Sequence, residues 1–461
     1  MADGAALEEA IRALSIRFGD RAETGEAVRA THANTLTWIA AEAPDVVVWP
    51  LATDEVVAVV DIASRHRVPI IPFGAGTSLE GHVNAPRGGI SLDLSRMTRI
   101  LRVSPEDFDC TVEAGVTRPG LNAHLRDVGL FFPVDPGAGE ATLGGMAATR
   151  ASGTNAMRHG TMRDNVLSLR AVMANGAVVT TGGRARKSAA GLDLTRLLIG
   201  SEGTLGIITE LTLKLSPIPA CVLAAACPFA TLSGACEASI AAHMAGLTLQ
   251  RMELLSADMI RAVNAHAKLA MPEAPHLFVE VAGGEAATQE QIAEFREIAL
   301  ANGALSFAWA AKEDERRALW RARHDAFWAV RALWPGKSVL VSDVAVPLSA
   351  LAACVSETVQ DFAAEGVIAP VVGHVGDGNF HMIPVFDAGD PAEAKRVRAL
   401  LDRLVARALA LGGTCTGEHG VGQGKAAHVS AELGAPAVEV MRAIKDALDP
   451  MGLLNPGKML P

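Results

Sequence analysis

Hydrophobic and polar positions follow two periods along the first half of the chain, and each period predicts one kind of element. Apolar residues at helical spacing predict a helix over 54–65, with Thr53 as its N-cap, and a second helix over 118–128. Asn175-Gly176 between two apolar runs predicts a β-hairpin. Alternating or continuously apolar runs predict strands at 68–73, 90–94, 111–114, 166–174, 177–181 and 204–215.

The pattern breaks at residues 216–219, Ser-Pro-Ile-Pro, and we place a domain boundary there. Beyond it, candidate strands and helices alternate, which indicates a sheet covered by helices. Residues 1 to about 40 and the last 40 residues are predicted to be helical. The strands predicted in this second half lie at 221–229, 276–282, 304–309, 338–346 and 368–372.

Composition narrows the class of protein. The 461 residues suggest two or three domains, and a net charge of -10 argues against a nucleic-acid binder, which normally presents a basic face. No apolar run reaches the length of a membrane span, and the acidic N-terminal sequence lacks the layout of a signal peptide. We therefore expect a cytoplasmic location, with peripheral contact to a membrane left open. The six cysteines show no C-x-x-C pair or iron–sulfur spacing and are expected to be core residues.

A glycine-rich segment, Pro72–His82, directly follows the strand predicted at 68–73. Glycines allow positive φ angles and let successive backbone amides approach an anion closely, which suits a pyrophosphate. The segment has neither the G-x-x-x-x-G-K-[ST] pattern of a P-loop nor the third glycine of a Rossmann fingerprint. A tight turn between a strand and a loop is the alternative interpretation.

Two further segments are rich in glycine and other small residues. One runs from Pro136 to Asn155, and its small side chains would let a flat ring system lie against the backbone. A packing seam of small residues is the alternative interpretation. The other, at 200–206, reads Gly-Ser-Glu-Gly-Thr-Leu-Gly and precedes a predicted strand.

Taken in order, these three segments resemble the FAD-binding domain of the vanillyl-alcohol-oxidase (PCMH-type) superfamily, over roughly residues 45–219. In the covalent members of that superfamily a flavin-linking histidine occupies the position of Thr77, and threonine cannot form that bond. The resemblance therefore implies an FAD that is bound non-covalently. The cofactor-binding residues that it implies are Pro72, Gly74, Ala75, Gly76, Thr77, Ser78, Gly81, Pro136, Gly137, Thr142, Gly144, Gly145, Ser152, Gly153, Asn155, Glu202, Gly203, Ile208 and Asn455.

The second half carries two glycine-flanked motifs, G-H-V-G-D-G-N-F-H and T-G-E-H-G. His374 and His381 would face opposite sides of one straight strand, but the Gly-Asp-Gly between them can reverse the chain so that both face one site. Two imidazoles with the carboxylate of Glu418 make a three-ligand set for a divalent metal with open positions. His419 would then be available as a base. Packed or solvated histidines are the alternative interpretation.

This half resembles the C-terminal domain of FAD-linked oxidases, and the whole chain is similar to the D-lactate dehydrogenase (cytochrome) group. D-2-hydroxyglutarate dehydrogenase and the glycolate oxidase flavin subunit are near relatives of that group. The resemblance implies that His374, His381 and Glu418 bind zinc or manganese and that His419 is the catalytic base. The segments that carry it are 342–347, 373–381, 412–422 and 453–458.

Two more residues are implicated in substrate binding. Arg323 matches the arginine that these enzymes use on the substrate carboxylate, and a guanidinium suits bidentate capture of that group. A solvated helix arginine is the alternative interpretation, and Arg321 should project elsewhere. The hydroxyglutarate enzymes place a lysine near position 342 for a second carboxylate, whereas this chain has Ser342. That difference favours a monocarboxylate substrate.

The predicted fold class is α+β. A PCMH-type FAD-binding domain of two subdomains is expected over 41–219, after an N-terminal helical segment at 1–40. An α/β substrate (cap) domain with a ferredoxin-like sheet is expected over 220–461, of which about 420–461 returns to the FAD domain as a C-terminal helical segment.

The predicted function is oxidation of a D-2-hydroxy acid, with D-lactate as the first candidate, by an FAD- and divalent-metal-dependent dehydrogenase. Glycolate or D-2-hydroxyglutarate dehydrogenation, a non-catalytic flavin subunit of an electron-transfer complex and a metal-dependent hydrolase are the alternatives. Electrons are expected to pass to an external acceptor, such as cytochrome c, a quinone or an electron-transfer flavoprotein. A homodimer is left open, and no nucleic acid is expected as a partner.

Overall fold

The fold is described by a computed structural model over residues 4–34, 36–310 and 312–461. Residues 1–3 and 35 of the predicted N-terminal helical segment lie outside the described residues. The α-helices in chain order are α1 Gly4–Phe18, α2 Glu26–Thr31, α3 Thr53–His66, α4 Arg118–Leu125, α5 Leu143–Thr149, α6 Ala156–His159, α7 Met162–Asn165, α8 Leu194–Leu198, α9 Leu232–Met244, α10 Ala257–Ala267, α11 Glu285–Ala301, α12 Glu313–His324, α13 Ala326–Leu333, α14 Leu348–Ala364, α15 Pro391–Ala410, α16 Ala426–Leu433 and α17 Ala435–Leu448.

The strands are mostly short. In chain order they are β1 Ala22–Glu23, β2 Val46–Val48, β3 Ile70–Phe73, β4 Ile90–Asp93, β5 Ile100–Ser104, β6 Asp109–Glu113, β7 Leu130–Phe131, β8 Val166–Val172, β9 Val178–Thr180, β10 Ile207–Lys214, β11 Ser216–Pro217, β12 Cys221–Pro228, β13 Leu249–Leu255, β14 His276–Gly283, β15 Trp309–Ala310, β16 Ser338–Val339, β17 Val344–Ala345, β18 Val371–Gly373, β19 Asn379–Met382 and β20 Val385–Phe386.

The chain divides into two compact units. The first unit contains the described residues of Met1–Gly153, His159–Ile218 and Glu418–Pro461. The second unit contains the described residues of Thr154–Arg158 and Pro219–Gly417. The chain thus leaves the first unit after Ile218 and re-enters it at Glu418.

The first unit is built on two sheets. One has the order β1-β2-β4-β3, in which β2 and β3 both run parallel to β4. The other is antiparallel with the order β5-β6-β10-β8-β9, and its β8 and β9 form the predicted hairpin. The valine face of α3 is buried in the core of this unit because its apolar residues recur at helical spacing. A parallel bridge between Ile70 and Leu454 joins the C-terminal segment to β3.

Two predictions for the first unit were wrong in detail. Thr53 is the first residue of α3 and not its N-cap, because its hydroxyl donates to Thr209 Oγ1 at 3.1 Å, and Ala52 takes the cap position. The N-terminal segment is not wholly helical, because Ala22 and Glu23 pair with Val48 and Val47 and add β1 to the sheet.

The second unit has a seven-stranded sheet of order β15-β12-β14-β13-β18-β19-β17. Its first four strands have the ferredoxin-like order 4-1-3-2, and its strand pairs are antiparallel. These observations agree with the predicted α+β class. The apolar pattern predicted no strand at Leu249–Leu255, although β13 lies at the centre of the sheet.

Two strand predictions in the second unit were too long. The run at 304–309 contributes Trp309 to a strand, and Ala304 makes an isolated bridge to Phe229. The run at 338–346 forms two separate strands, β16 and β17, in different pairings.

All six cysteines are free thiols, and five of them are buried, with Cys221 half-buried. They behave as the small core residues that the sequence predicted. Among the residues that the structure describes, no helix combines the length and the apolarity needed to cross a bilayer.

Candidate functional site

The first two glycine-rich segments meet in the first unit. A Cβ atom on Gly74 would lie 2.3 Å from Oγ1 of Thr142, so the two backbones approach as closely as they do because Gly74 has no side chain. Thr142 is the N-cap of α5 and accepts a hydrogen bond from the backbone N–H of Gly145 at 3.3 Å. The loop after β3 therefore packs directly on the start of α5.

The third segment and the C-terminus complete this arrangement. A Cβ atom on Gly203, whose φ is +72°, would lie 2.8 Å from Cγ of Pro72. Asn455 donates through Nδ2 to the backbone carbonyl of Glu202 at 2.7 Å. The structure thus brings together residues from all three predicted FAD segments and from the far end of the chain. We call this set of loops in the first unit the cradle: Pro72–Gly81, Pro136–Gly153, Gly200–Gly206 and Asn455.

The donor and acceptor groups of the cradle fit a bound polar ligand. Among the described residues, Ser78 Oγ, Ser201 Oγ and Asn455 Oδ1 are buried without a hydrogen-bond partner in the protein. Buried polar atoms are nearly always paired, so three unpaired oxygens in one set of loops call for an explanation, and a bound ligand or water supplies one. The close glycine contacts and these oxygens fit a cofactor with both flat and polar parts, as FAD has.

Glu202, a residue of the cradle, also accepts hydrogen bonds from the C-terminal part of the chain. Its carboxylate accepts hydrogen bonds from the backbone N–H groups of Val421 at 2.6 Å and Gly422 at 2.9 Å, and it lies 3.2 Å from His82 Nε2. Burial alone would raise the pKa of Glu202, but His82 and the two backbone donors outweigh it, so the pKa lies below its usual range. The carboxylate therefore ties the loop after His419 to the cradle.

His419 lies in the first unit beside Glu80, a buried residue that the sequence interpretation did not single out. His419 Nδ1 is 3.9 Å from Oε1 of Glu80, and Lys425 Nζ is 3.5 Å from the same oxygen. The backbone carbonyl of Glu80 also accepts the N–H groups of Gln423 and Gly424. Glu80, which belongs to the cradle, therefore holds the loop that carries His419 through both its side chain and its backbone carbonyl.

The two histidines predicted as metal ligands sit side by side in the second unit. Val371 and Val372 of β18 pair with Met382 and His381 of β19, and a 3-10 turn at Val375–Asp377 reverses the chain between them. The ring centroids of His374 and His381 are 5.7 Å apart, with the ring planes at 89°. Both side chains are buried. The reversal that the Gly-Asp-Gly sequence predicted is present in this structure.

The Nδ1 atom of each of these histidines has a defined partner. His374 Nδ1 lies 2.6 Å from Oε1 of Glu253, and His381 Nδ1 lies 2.7 Å from the backbone carbonyl of Ser342. When Nδ1 is engaged in this way, Nε2 is the ring atom that serves as a metal ligand. Imidazole nitrogens are common ligands of divalent metals, so the two Nε2 atoms of this pair suit a metal site.

Arg323 is buried on α12, so the alternative of a solvated helix arginine is wrong. Its Nε and Nη2 atoms lie 2.7 and 2.6 Å from Oε2 of Glu253. Arg321, two positions away, is exposed, as the helical spacing predicted. Glu253 thus contacts both the predicted carboxylate-binding arginine and a predicted metal ligand.

Glu253 was missed at the sequence level. It lies on β13 with a fully buried side chain, and a lone acid within the run Met252-Glu253-Leu254-Leu255 was the signal that could have identified it. Burial alone would raise the pKa of Glu253, but the charge of Arg323 and the hydrogen bonds from His374 and Arg323 outweigh it, so the pKa is lowered. The carboxylate is therefore ionised at neutral pH.

Ser342 and its neighbour hold β19 and the segment that precedes Glu418. The hydroxyl of Ser342 accepts the backbone N–H of Met382 at 2.8 Å. Asp343 accepts hydrogen bonds from Asn379 Nδ2 and Thr416 Oγ1, both at 2.8 Å. The second unit therefore fixes the chain up to Gly417, next to the strand that bears His381. The predicted substrate contact of Ser342 stays a prediction.

Asn155 is placed apart from the other predicted cofactor residues. It belongs to the second unit, where its Oδ1 accepts hydrogen bonds from Gln250 Nε2 at 2.9 Å and Arg251 Nε at 2.8 Å. The predicted residues of the second unit are Asn155, Arg323, Ser342, His374 and His381, and the remaining ones belong to the first unit.

Two family models match the chain. A model described as an FAD binding domain matches residues 44–182, and a model described as the C-terminal domain of FAD linked oxidases matches residues 218–459. These matches confirm the prediction of FAD as the cofactor. They also confirm the resemblance that the glycine-rich segments and the histidine motifs indicated.

Curated relatives match over most of their length. A protein of Danio rerio named probable D-lactate dehydrogenase, mitochondrial, is 47% identical over 99% of this chain and 92% of its own length. A protein of Arabidopsis thaliana named D-lactate dehydrogenase [cytochrome], mitochondrial, is 46% identical over 91% of this chain and 74% of its own length. A solved structure of p-cresol methylhydroxylase matches with a TM-score of 0.82 at 18% identity, over 99% of this chain and 97% of that one, which shows the fold alone.

Proposed function

This chain belongs to the family of FAD-linked oxidases, and we propose that it oxidises D-lactate or a closely similar D-2-hydroxy monocarboxylate to the 2-oxo acid. The curated relatives from zebrafish and Arabidopsis carry D-lactate dehydrogenase in their names. The observation that carries the proposal is the buried group around Glu253, where Arg323 and the histidine pair share one part of the second unit. A 2-hydroxy acid requires a cation to bind its carboxylate and, close to that cation, residues that can hold a metal for its hydroxyl group.

The substrate carboxylate is assigned to Arg323. Glu253 engages the Nε and Nη2 atoms of its guanidinium, and the substrate carboxylate is assigned to the Nη1 side. A buried guanidinium binds a carboxylate more strongly than an exposed one, because the surroundings screen the charges less. Serine at position 342 offers no cation for a second carboxylate, which supports a monocarboxylate.

A divalent metal, zinc or manganese, is assigned to His374, His381 and Glu418. The Nδ1 contacts of the two histidines direct Nε2 to the ligand role. Glu418 directly follows Gly417, and a Cβ on Gly417 would lie 2.2 Å from Asn379 Nδ2, so this part of the chain approaches the β19 strand closely. One carboxylate after such an anchor supplies the third ligand of the set.

His419 is assigned as the base that removes the proton of the substrate hydroxyl. When bound, FAD supplies the acceptor for the hydride of the α-carbon, and the metal supplies Lewis-acid polarisation of the hydroxyl. Glu80 and Glu202 hold the loop of His419 on the same unit as the cradle. Arg323 fixes the carboxylate and so limits the rotation of the α-carbon.

Three finer points belong to the same proposal. FAD is bound non-covalently because Thr77 cannot link to a flavin. The reduced cofactor is reoxidised by an external acceptor, of which cytochrome c is one candidate. A cytoplasmic location stays a prediction, beside relatives whose names place them in mitochondria.

A dye-linked screen of 2-hydroxy acids tests the proposed function. The purified FAD- and metal-loaded protein is assayed with an artificial electron acceptor against D-lactate, D-2-hydroxybutyrate, glycolate, D-2-hydroxyglutarate and L-lactate. We expect the highest kcat/KM for D-lactate or D-2-hydroxybutyrate. A preference for D-2-hydroxyglutarate would contradict the assignment of a monocarboxylate, and absence of turnover with every acid would contradict the proposed reaction.

A further inference from the structure

We propose that Glu253 is a positioning residue that uses one carboxylate to fix both the metal ligand His374 and the substrate-binding Arg323. This inference rests on the proposed function for the roles of its two partners. Its geometry does not depend on that function, because all three residues belong to the second unit and their contacts are direct.

The two oxygens of Glu253 are divided between the two partners. Oε1 lies 2.6 Å from His374 Nδ1, whereas Oε2 lies 2.7 Å from Arg323 Nε and 2.6 Å from Arg323 Nη2. The side chain of Glu253 is 0% exposed, so water does not compete for these contacts. One fully buried anion is thus shared by two cationic or polar groups from different elements.

The sheet register places Glu253 where it can do this. Leu254 of β13 pairs with Gly373 of β18, and Leu255 pairs with Val372. Because the strands are antiparallel, the next residue outward on each strand brings Glu253 opposite His374. Arg323 comes from the last turn of α12, so the carboxylate joins a helix to the end of a strand.

Each contact restricts its partner in a way that the reaction needs. A carboxylate on Nδ1 fixes the tautomer and the ring orientation of a histidine and raises the basicity of Nε2 as a ligand. A carboxylate on the Nε edge of a guanidinium fixes the plane in which its other edge can meet a substrate. A change at Glu253 should therefore alter metal binding and substrate binding together.

Three substitutions separate positioning from general stability. Glu253→Gln preserves the shape but offers one acceptor and one donor group, so it cannot accept from both partners at once. Glu253→Asp keeps the charge on a side chain one methylene shorter. The matched control is Asp109→Asn, because Asp109 is also a buried carboxylate shared by two groups, Arg102 and Arg184, in the first unit.

The experiment measures two properties on FAD-loaded protein. Affinity for Zn²⁺ and Mn²⁺ is measured by calorimetry on metal-depleted protein with a competing chelator, and KM and kcat for D-lactate are measured with a dye acceptor. For Glu253→Gln we expect a 10- to 100-fold loss of metal affinity and a KM at least about 10-fold higher, with unchanged FAD content. Glu253→Asp should recover part of both properties, and Asp109→Asn should stay within about 2-fold of wild type.

Several results would overturn the inference. Wild-type metal affinity and KM in Glu253→Gln would do so, as would equal losses in Asp109→Asn. If Glu253→Gln does not fold, Glu253→Asp carries the test, and wild-type values in that variant overturn the inference. In a His374→Ala background, Glu253→Gln should cause little further loss of metal affinity, and a full additional loss would show that it acts elsewhere.

Failure of the proposed function would look different. If the wild-type protein binds metal but oxidises no D-2-hydroxy acid, the reaction is wrong, while the metal-affinity comparison still tests the contact between Glu253 and His374. If the wild-type protein binds no divalent metal, the role of Glu253 toward His374 is overturned even where D-lactate is oxidised.

Discussion

The carboxylate of Glu202 accepts a hydrogen bond from the backbone N–H of Gly422 at 2.9 Å, although 220 positions separate the two residues in the chain. The same carboxylate also accepts the N–H of Val421. A side chain of the cradle therefore helps to hold the loop after the proposed base. One buried acid thus joins the segment 421–422 to the third glycine-rich segment.

Replacing Glu202 with alanine should lower both stability and flavin retention. Two backbone N–H groups lose their acceptor, that of Gly422 buried and that of Val421 partly buried, and the loss of an acceptor by a buried group costs about 1–3 kcal/mol. We expect the free energy of unfolding to fall by about 3 kcal/mol and FAD to dissociate faster, as measured by denaturant titration and flavin fluorescence. Glu210→Ala, which breaks a half-exposed pair with Arg170, should cost about 1 kcal/mol or less, and equal effects would contradict the account.

Removing the imidazole of His419 should abolish turnover without removing the cofactor. A general base contributes about 10²- to 10⁴-fold to the rate, so His419→Ala should lower kcat for D-lactate by at least about 100-fold. FAD content and metal content should match the wild-type values. The exposed His124 provides the control substitution, and near-wild-type turnover in His419→Ala would show that the base is another group.

Metal removal should silence the enzyme while the flavin stays bound. Because two of the three proposed ligands are neutral histidines held through Nδ1, chelation by EDTA should leave the fold and the flavin absorbance intact. Activity should return on addition of Zn²⁺ or Mn²⁺, and elemental analysis should identify which ion the purified protein carries. His381→Ala should not be rescued at the same concentrations. Full turnover in a sample shown to be metal-free would remove the metal from the mechanism.

Lys458 should make the free energy of unfolding increase with pH in the alkaline range. Burial lowers the pKa of Lys458 to about 8, in spite of attraction from Glu42 and Glu202. The unfolded chain, with its lysine pKa near 10.5, binds more protons between these values, so this contribution to stability increases as the pH rises from about 8 to 10.5.

The comparison with Lys458→Met isolates that contribution. The stability of wild type relative to Lys458→Met should improve by up to about 3 kcal/mol between pH 7 and pH 10, measured by denaturant titration at each pH. Lys187→Met, at an exposed position, controls for the loss of a surface lysine. A difference that does not change with pH would show that Lys458 has the same charge in both states.

The attachment of the flavin can be read directly. Acid precipitation should release all of the yellow colour into the supernatant, because Thr77 has no ring nitrogen that could bond to the isoalloxazine. The mass of the denatured polypeptide should equal that of the unmodified chain. A mass increase equal to one flavin would show that another residue forms the covalent link.

The sequence predicted those features in which local signals and the family pattern agree. The hairpin at Asn175-Gly176 and the reversal between His374 and His381 depend on glycine at turn positions, which the sequence displays directly. The helix at α3 was predicted from its valines, but its cap was wrong, because Thr53 binds Thr209 rather than its own backbone. That partner lies 156 positions away, beyond what local reasoning can reach.

The buried partners of the site were the features that sequence reasoning missed. β13 reads Leu-Gln-Arg-Met-Glu-Leu-Leu, with most of its residues buried, so it lacks the alternation of a half-exposed strand. The lone acid in this apolar run marks Glu253 as unusual, but its partner His374, 121 positions later in the chain, is visible only in the register. Glu80 was missed for the same reason, because its partners His419 and Lys425 lie more than 300 positions later in the chain.

The central claim, that D-lactate gives its hydride to the bound FAD, is tested most directly by anaerobic mixing of the metal-loaded protein with substrate. D-lactate should bleach the oxidised flavin band within the time of one turnover, L-lactate should not, and pyruvate should form in an amount equal to the reduced flavin. An oxidised flavin spectrum that persists with D-lactate present, in protein shown to contain both FAD and metal, would contradict it.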